Sequence, residues 1–155
     1  MSSAVIARIA ATAVACGAVL ATAVLPATAA THASPGRATS PVVIGKIQYD
    51  SPGADDRSNR SLNAEWVDIV NTGRHAVNLK GWTLKDADRH TYRFGHLRLA
   101  AHQKVRVHTG IGRDTVRDVY QNRRAYVWDN KKDTATLRDD HDRVIATASW
   151  GYRGR

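Results

Sequence analysis

Short runs of β-forming residues recur from Val42 onward, each broken after about 8–12 residues by Gly, Asn, Asp or Ser, and no stretch sustains a helical period. That spacing confines the chain to an all-β fold of about seven to nine short strands. The pattern predicts strands over Val42–Asp50, Asn63–Asn71 and Val77–Asp86, then over 89–94, 104–108, 125–128, 134–138 and 143–150. Ser51–Leu62 reads as a loop, and residues 110–125 as irregular with a short helical turn near Asp114–Tyr120. Two strands alternate cleanly: His90, Tyr92 and Phe94 oppose Arg89, Thr91 and Arg93, while Val105 and Val107 oppose Lys104, Arg106 and His108. In the third strand Val77 and Leu79 differ in parity from Trp82 and Leu84, so a bulge at Gly81 is expected to put all four on the core side. Asn71-Thr72-Gly73 reads as a turn whose residues tolerate positive φ. Periodicity alone does not separate a sandwich from a barrel.

The N-terminus carries a different signal. Arg8 precedes an uncharged run from Ile9 to Leu25, and Ala27-Thr28-Ala29 supplies the small-x-small pattern of a cleavage site. Residues 1–29 are therefore expected to be a secretory signal peptide rather than an uncleaved anchor, since the run is at the short limit for spanning a bilayer. Cys16 lies inside that run, without the aliphatic residue that a lipoprotein site wants ahead of it, and is the only cysteine of the chain. Cleavage would remove it, so the exported part would have no disulfide and would rely on its core. Residues 30–41, rich in Ala, Thr, Ser and Pro, read as a flexible leader, and 42–152 as one domain.

Chemistry is hard to find. There is no Gly-x-Ser-x-Gly elbow, phosphate-binding glycine loop or HExxH pair. His90, His96, His102 and His108 recur every six residues, but they straddle two strands and a loop, with His90 expected to point inward and His108 outward. The clusters Asp50/Asp55/Asp56, Asp86/Asp88 and Asp139/Asp140/Asp142 match no calcium-loop pattern and are expected to serve turns. No catalytic residue, metal or cofactor is expected.

Glu65-Trp66-Val67-Asp68-Ile69-Val70-Asn71-Thr72-Gly73 and Val77-Asn78-Leu79-Lys80-Gly81-Trp82-Thr83-Leu84-Lys85-Asp86 together resemble the signature of the lamin tail domain family. Tyr92-Arg93-Phe94, Val105-Arg106-Val107 and the stretch Trp128–Asp139 follow in the same order, so the resemblance runs from about Val42 to Trp150. It implies an immunoglobulin-like β-sandwich without catalytic residues, of the type found in secreted bacterial proteins. Two turns depart from the family pattern: Ala101-His102 stands where Pro-Gly is usual, and His141-Asp142 where Asp-Gly is usual.

The charge suggests what such a domain would meet. The formal net charge is +9, and +8 without Arg8, yet residues 80–132 alone hold thirteen basic against five acidic side chains. An asymmetry of that kind fits a face turned toward anions. If the fourth and fifth strands are neighbours, Arg89, Arg93, Lys104 and Arg106 share one solvent face, which Arg123, Arg124, Lys131 and Lys132 extend from flanking connections. The expected function is that of a secreted, non-catalytic binding or adaptor domain engaging nucleic acid or an anionic cell-wall polymer. The alternative is a structural or protein–protein contact module whose charge serves solubility.

Overall fold

The computed structural model describes residues 40–151, so the signal peptide and most of the leader lie outside the described residues. Ten strands and one helix follow in order: β1 (Val42–Gln48), α1 (Asn59–Ala64), β2 (Trp66–Asn71), β3 (Val77–Asn78), β4 (Thr83–Lys85), β5 (Thr91–Arg93), β6 (Arg98–Leu99), β7 (Lys104–His108), β8 (Asp118–Tyr120), β9 (Lys132–Arg138) and β10 (Val144–Gly151). Two four-stranded sheets form, β1-β2-β7-β8 and β10-β9-β4-β5, with β3 and β6 as a small third ladder. All pairings are antiparallel except β7 with β8. The two large sheets pack as an immunoglobulin-like β-sandwich. One lateral seam brings β1 to β10, where Tyr49 stacks on Trp150 with ring centroids 4.9 Å apart. The opposite side lies between the edges β5 and β8.

Alternation builds the core. Val67 and Ile69 of β2, Val105 and Val107 of β7 and Val119 of β8 are buried from one sheet; Leu84 of β4, with Ala135 and Leu137 of β9, is buried from the other. Trp82, Phe94, Leu79, Leu97, Leu99 and Trp128 fill the space around them. Gly81 adopts φ +82°, and the chain breaks there into β3 and β4, with Trp82 N–H donating to the Leu79 carbonyl at 2.9 Å. Leu79, Trp82 and Leu84 are buried and Val77 half-buried, which is the inward placement anticipated across this glycine, reached by a turn between two strands instead of a bulge within one.

Several local expectations are corrected. The loop before β2 contains α1, which Ser58 caps by accepting the Ser61 N–H on Oγ at 3.2 Å, and which buries Leu62. Residues 118–120 form a parallel edge strand rather than a helical turn. Residues 125–128 are not a strand, although Val127 and Trp128 are buried. His90 is exposed in the turn before β5, where its Nδ1 meets the buried carboxylate of Asp86. At residues 71–73 the turn is made by a buried side chain and not by positive φ. Asn71 Oδ1 accepts the Gly73 N–H at 3.0 Å, and Nδ2 faces the carbonyls of His75 (2.8 Å) and Ala100 (3.0 Å).

The two turns that depart from the family pattern both hold a non-glycine residue in the left-handed region: His102 and Asp142 each sit at φ +58°. Glycine adopts this conformation without the Cβ penalty, so its usual presence at such sites has a direct physical reason. The Asp142 carboxylate lies 3.7 Å from Arg138 and 4.0 Å from Lys85, contacts that glycine could not make. His102 makes no side-chain hydrogen bond among the described residues. His102→Gly is therefore expected to raise stability by about 0.5–1 kcal/mol, measured by urea denaturation, the relieved strain exceeding the extra unfolded-state entropy of glycine.

Candidate polyanion-binding surface

The eight basic residues fall into three groups, because β5 and β7 belong to different sheets. This corrects the expectation of a single face. Lys104 and Arg106 project from the outer face of β1-β2-β7-β8, whereas Arg89 and Arg93 flank the outer edge of the other sheet. Lys131 and Lys132 lie at the start of β9, next to β10 and away from β5.

Lys104 and Arg106 are already engaged. Asp68 sits opposite Arg106 in the β2–β7 ladder and breaks the alternation of its strand, being 2 % exposed on an outward-facing position. Its carboxylate accepts from Lys104 Nζ at 2.9 Å and from Arg106 Nε and Nη2 at 2.8 and 3.2 Å. Burial pushes the Asp68 carboxyl up, but the hydrogen bonds and charges of Arg106 and Lys104 outweigh it and hold it below the usual carboxylate range. The Arg106 guanidinium also lies 3.3 Å from the centroid of the Trp66 ring, with Lys46 Nζ 5.7 Å from the same ring. This face is an internally satisfied charge network more than an open cation surface.

The β5 edge is different. Arg89, at φ +72°, turns the chain into β5, and the Asp86 carboxylate steadies that turn by accepting the His90 N–H at 2.6 Å. Arg93 rests one guanidinium nitrogen on the Gly81 carbonyl at 2.8 Å. Arg123 reaches across from the connection after β8, its Nη2 donating to the Thr91 carbonyl at 3.3 Å. That contact brings Arg123 to the strand already flanked by Arg89 and Arg93, with the exposed Arg124 next to it in sequence. Among the described residues none of these four, nor Lys131 or Lys132, has a carboxylate within 4.0 Å, whereas Lys85, Lys104, Arg106, Arg138 and Arg143 do. Their contacts with the protein are to neutral carbonyls, which leave the charge available to an external anion.

The side of the sandwich between β5 and β8 extends this character. Residues 89–124 hold nine Arg and Lys against only Asp114 and Asp118. A shallow cleft on this side is lined by Tyr92, His96, Leu97, Asp114, Val116 and Val119. Burial, with a smaller contribution from Asp114, pushes the Tyr92 hydroxyl up to about 12. At Lys131 and Lys132 the side chains are exposed, but their backbone N–H groups donate to Asp129 Oδ1 at 2.6 and 3.1 Å, which holds that carboxyl below its usual range.

Among the described residues His90, His96, His102 and His108 do not come together as a ligand group. His108 bonds Asp118 at 2.9 Å and the Asn63 carbonyl at 2.8 Å, and stacks on Tyr120. The Asp139, Asp140 and His141 side chains approach one another, but Asp139 is committed to its own turn, accepting from the N–H groups of His141 and Arg143 and from Arg143 Nε. This is the turn role that the aspartate clusters suggest in the sequence.

One buried group escaped the reading of the sequence. Glu65 is fully buried at the entry to β2, where Oε1 accepts from Thr109 Oγ1 at 2.6 Å and from the Val127 N–H at 2.9 Å, while Oε2 has no partner among the described residues. Burial pushes its carboxyl up to about 7, the two hydrogen bonds offsetting only part of the desolvation. Its partners are Thr109, just past the end of β7, and Val127 in the connection after β8, so no local motif announces them.

No curated protein matches the chain. The family model described as Lamin Tail Domain matches residues 35–152, which covers both sheets and the β5 edge. This is a family of non-enzymatic immunoglobulin-like domains. The chain belongs to the lamin tail domain family.

Proposed function

We propose that this protein is an exported, non-catalytic adaptor domain that engages extracellular polyanions, nucleic acid or an anionic cell-wall polymer, through the β5 edge. The observation that carries the reading is the gathering of Arg89, Arg93 and Arg123 at one edge, with Arg124 following in sequence, all without ion-pair partners among the described residues. Guanidinium groups suit this role because their planar fork can hold two phosphate oxygens at once. Lys131 and Lys132 would add long-range attraction from the neighbouring end of the sheet. Lys104 and Arg106 would contribute less, since Asp68 offsets their charge.

Export is supported by the Arg8, Ile9–Leu25 and Ala27-Thr28-Ala29 pattern, and N-terminal sequencing of protein from the medium should begin between Ala30 and Ser34. The binding test is titration of labelled duplex DNA, and separately of inorganic polyphosphate, at several salt concentrations. Affinity should be about micromolar or poorer at physiological salt, and its logarithm should fall linearly with that of the salt concentration as counterions are released. Arg93→Glu with Arg124→Glu should weaken binding by about tenfold or more at low salt, and Lys131→Glu with Lys132→Glu by less. Binding to neither polymer, or binding indifferent to the first double reversal, would leave the protein-contact reading in its place.

A further inference from the structure

A free sheet edge presents unpaired backbone N–H and C=O groups, and folded proteins usually blunt such edges by shortening, charging, bulging or covering them. Three of the four edges here are blunted. β5 is three residues long, carries Arg93, and has its Thr91 carbonyl occupied by Arg123. β8 is also three residues, and the preceding turn covers its outer side: Asp114 accepts the Tyr120 N–H at 2.9 Å, and the Thr115 N–H donates to the Asp118 carbonyl at 2.7 Å. β1 carries Lys46 and shifts register between Ile44 and Ile47.

β10 is the exception. It is eight residues long and contains no charged side chain, in a chain whose formal charge is +9. An irregularity between Val144 and Ala146 leaves Ala146–Gly151 in regular register with β9. β1 packs beside it without pairing, and among the described residues its backbone makes no hydrogen bond outside the β9 ladder; the Trp150 ring stacks on Tyr49 and its indole N–H donates to the Asp129 carbonyl at 2.8 Å. Its inward side chains are incompletely covered as well. Asp133, Ala135 and Leu137 of β9 are buried, whereas Ala146, Ala148 and Trp150 opposite them are only half-buried. At the start of the strand Val144 is 52 % exposed.

We propose that β10 is a self-association edge, at which a second copy of this chain adds its own β10 antiparallel across a two-fold axis. A second copy is the occupant that the charges favour. β10 carries no charged side chain to repel its own image, whereas self-pairing of β1, β5 or β8 would bring Lys46, Arg93 or Asp118 close to its own image. The outward row also suits it. Thr147 and Ser149 would face hydroxyl-bearing residues across the junction, as Ser149 already does with Thr134 at 2.9 Å. Residues opposed across an antiparallel junction share a face, so the axis passes through a residue near Ala148, and Thr147 and Ser149 flank or occupy it. This pairing is independent of the β5 edge, which lies at the far side of the same sheet.

Sedimentation velocity of the full chain from micromolar to millimolar concentration tests it. The wild type should shift toward dimer as concentration rises, with hydrogen-exchange protection growing only at β10 amides. Thr147→Lys with Ser149→Lys places like charges across the junction in any of these registers. It should weaken association by about tenfold or more while leaving the melting temperature nearly unchanged. A control adding the same charge at Asn78 and Gln103, both exposed and away from β10, should associate as the wild type does. A wild type that stays monomeric throughout, a β10 double variant that associates normally, equal loss in the control, or protection at another edge would each overturn the proposal.

Discussion

Arg106→Glu should destabilise the protein by about 3 kcal/mol in chemical denaturation, although Arg106 is an outward-facing residue on a β-strand. Charge reversals on a solvated face ordinarily change stability by less than about 0.5 kcal/mol. The difference lies in Asp68, whose carboxylate is nearly excluded from water and draws two of its three hydrogen bonds from Arg106. Reversal removes those bonds, sets a second carboxylate beside the first and strips the cation from the Trp66 ring. Only Lys104 then remains to satisfy Asp68. Arg106→Lys keeps the charge but not the planar fork or the stack, and should cost about 1 kcal/mol. Arg93→Glu, which gives up one exposed bond to the Gly81 carbonyl, should stay within about 0.5 kcal/mol. Similar losses for Arg106→Glu and Arg93→Glu would mean that the Asp68 network contributes little. Because Asp68 is held below the usual carboxylate range, its contribution is present above its ordinary pKa of 3.8 and fades as pH falls through the lowered value.

That contrast shows where the sequence was informative. Alternation identified Arg93, Lys104 and Arg106 as outward and Tyr92, Phe94, Val105 and Val107 as inward, because side-chain direction along a strand is a local property. Which strands are neighbours is not local. β5 and β7 follow each other closely in sequence, with only the two-residue β6 between them, yet β6 pairs with β3 and the chain crosses to the other sheet. The proximity of Asp68 to Arg106 depends on that crossing. The motif Glu65–Gly73 supplied the family resemblance, but it gave Asp68 no visible partner. Short elements were lost for a different reason. Helix α1 offers one large apolar side chain, Leu62, and the small Ala64 in six residues, too few for a helical period to register. Residues 125–128 show the converse error, since Val127 and Trp128 are buried by tertiary packing and by the Glu65 carboxyl, not by a ladder.

Glu65 underlies the second large effect, a loss of stability on raising the pH through neutrality. Its folded-state pKa of about 7 lies above the ordinary 4.5, so the folded protein holds this proton more tightly than the unfolded chain. The stability from protonation is therefore full below pH 4.5, declines between 4.5 and 7, and is gone above about 7. At about 1.36 kcal/mol per unit, the two-and-a-half-unit difference corresponds to about 3 kcal/mol. The carboxyls of Asp68, Asp129 and Asp139 are lowered and lose their contributions only in acid, so they do not mask this window. Glu65→Gln keeps an oxygen to accept from Thr109 and Val127 and removes the titration. Denaturant melts at pH 5 and pH 8 should show the wild type losing about 2.5 kcal/mol more than Glu65→Gln between the two conditions, since part of the effect is already lost at pH 5. Parallel profiles for the two proteins would show that Glu65 ionises without cost, as it would if its free Oε2 reached water. Glu65→Ala should be the more damaging change at either pH, because it leaves the Thr109 hydroxyl and the Val127 N–H buried without an acceptor.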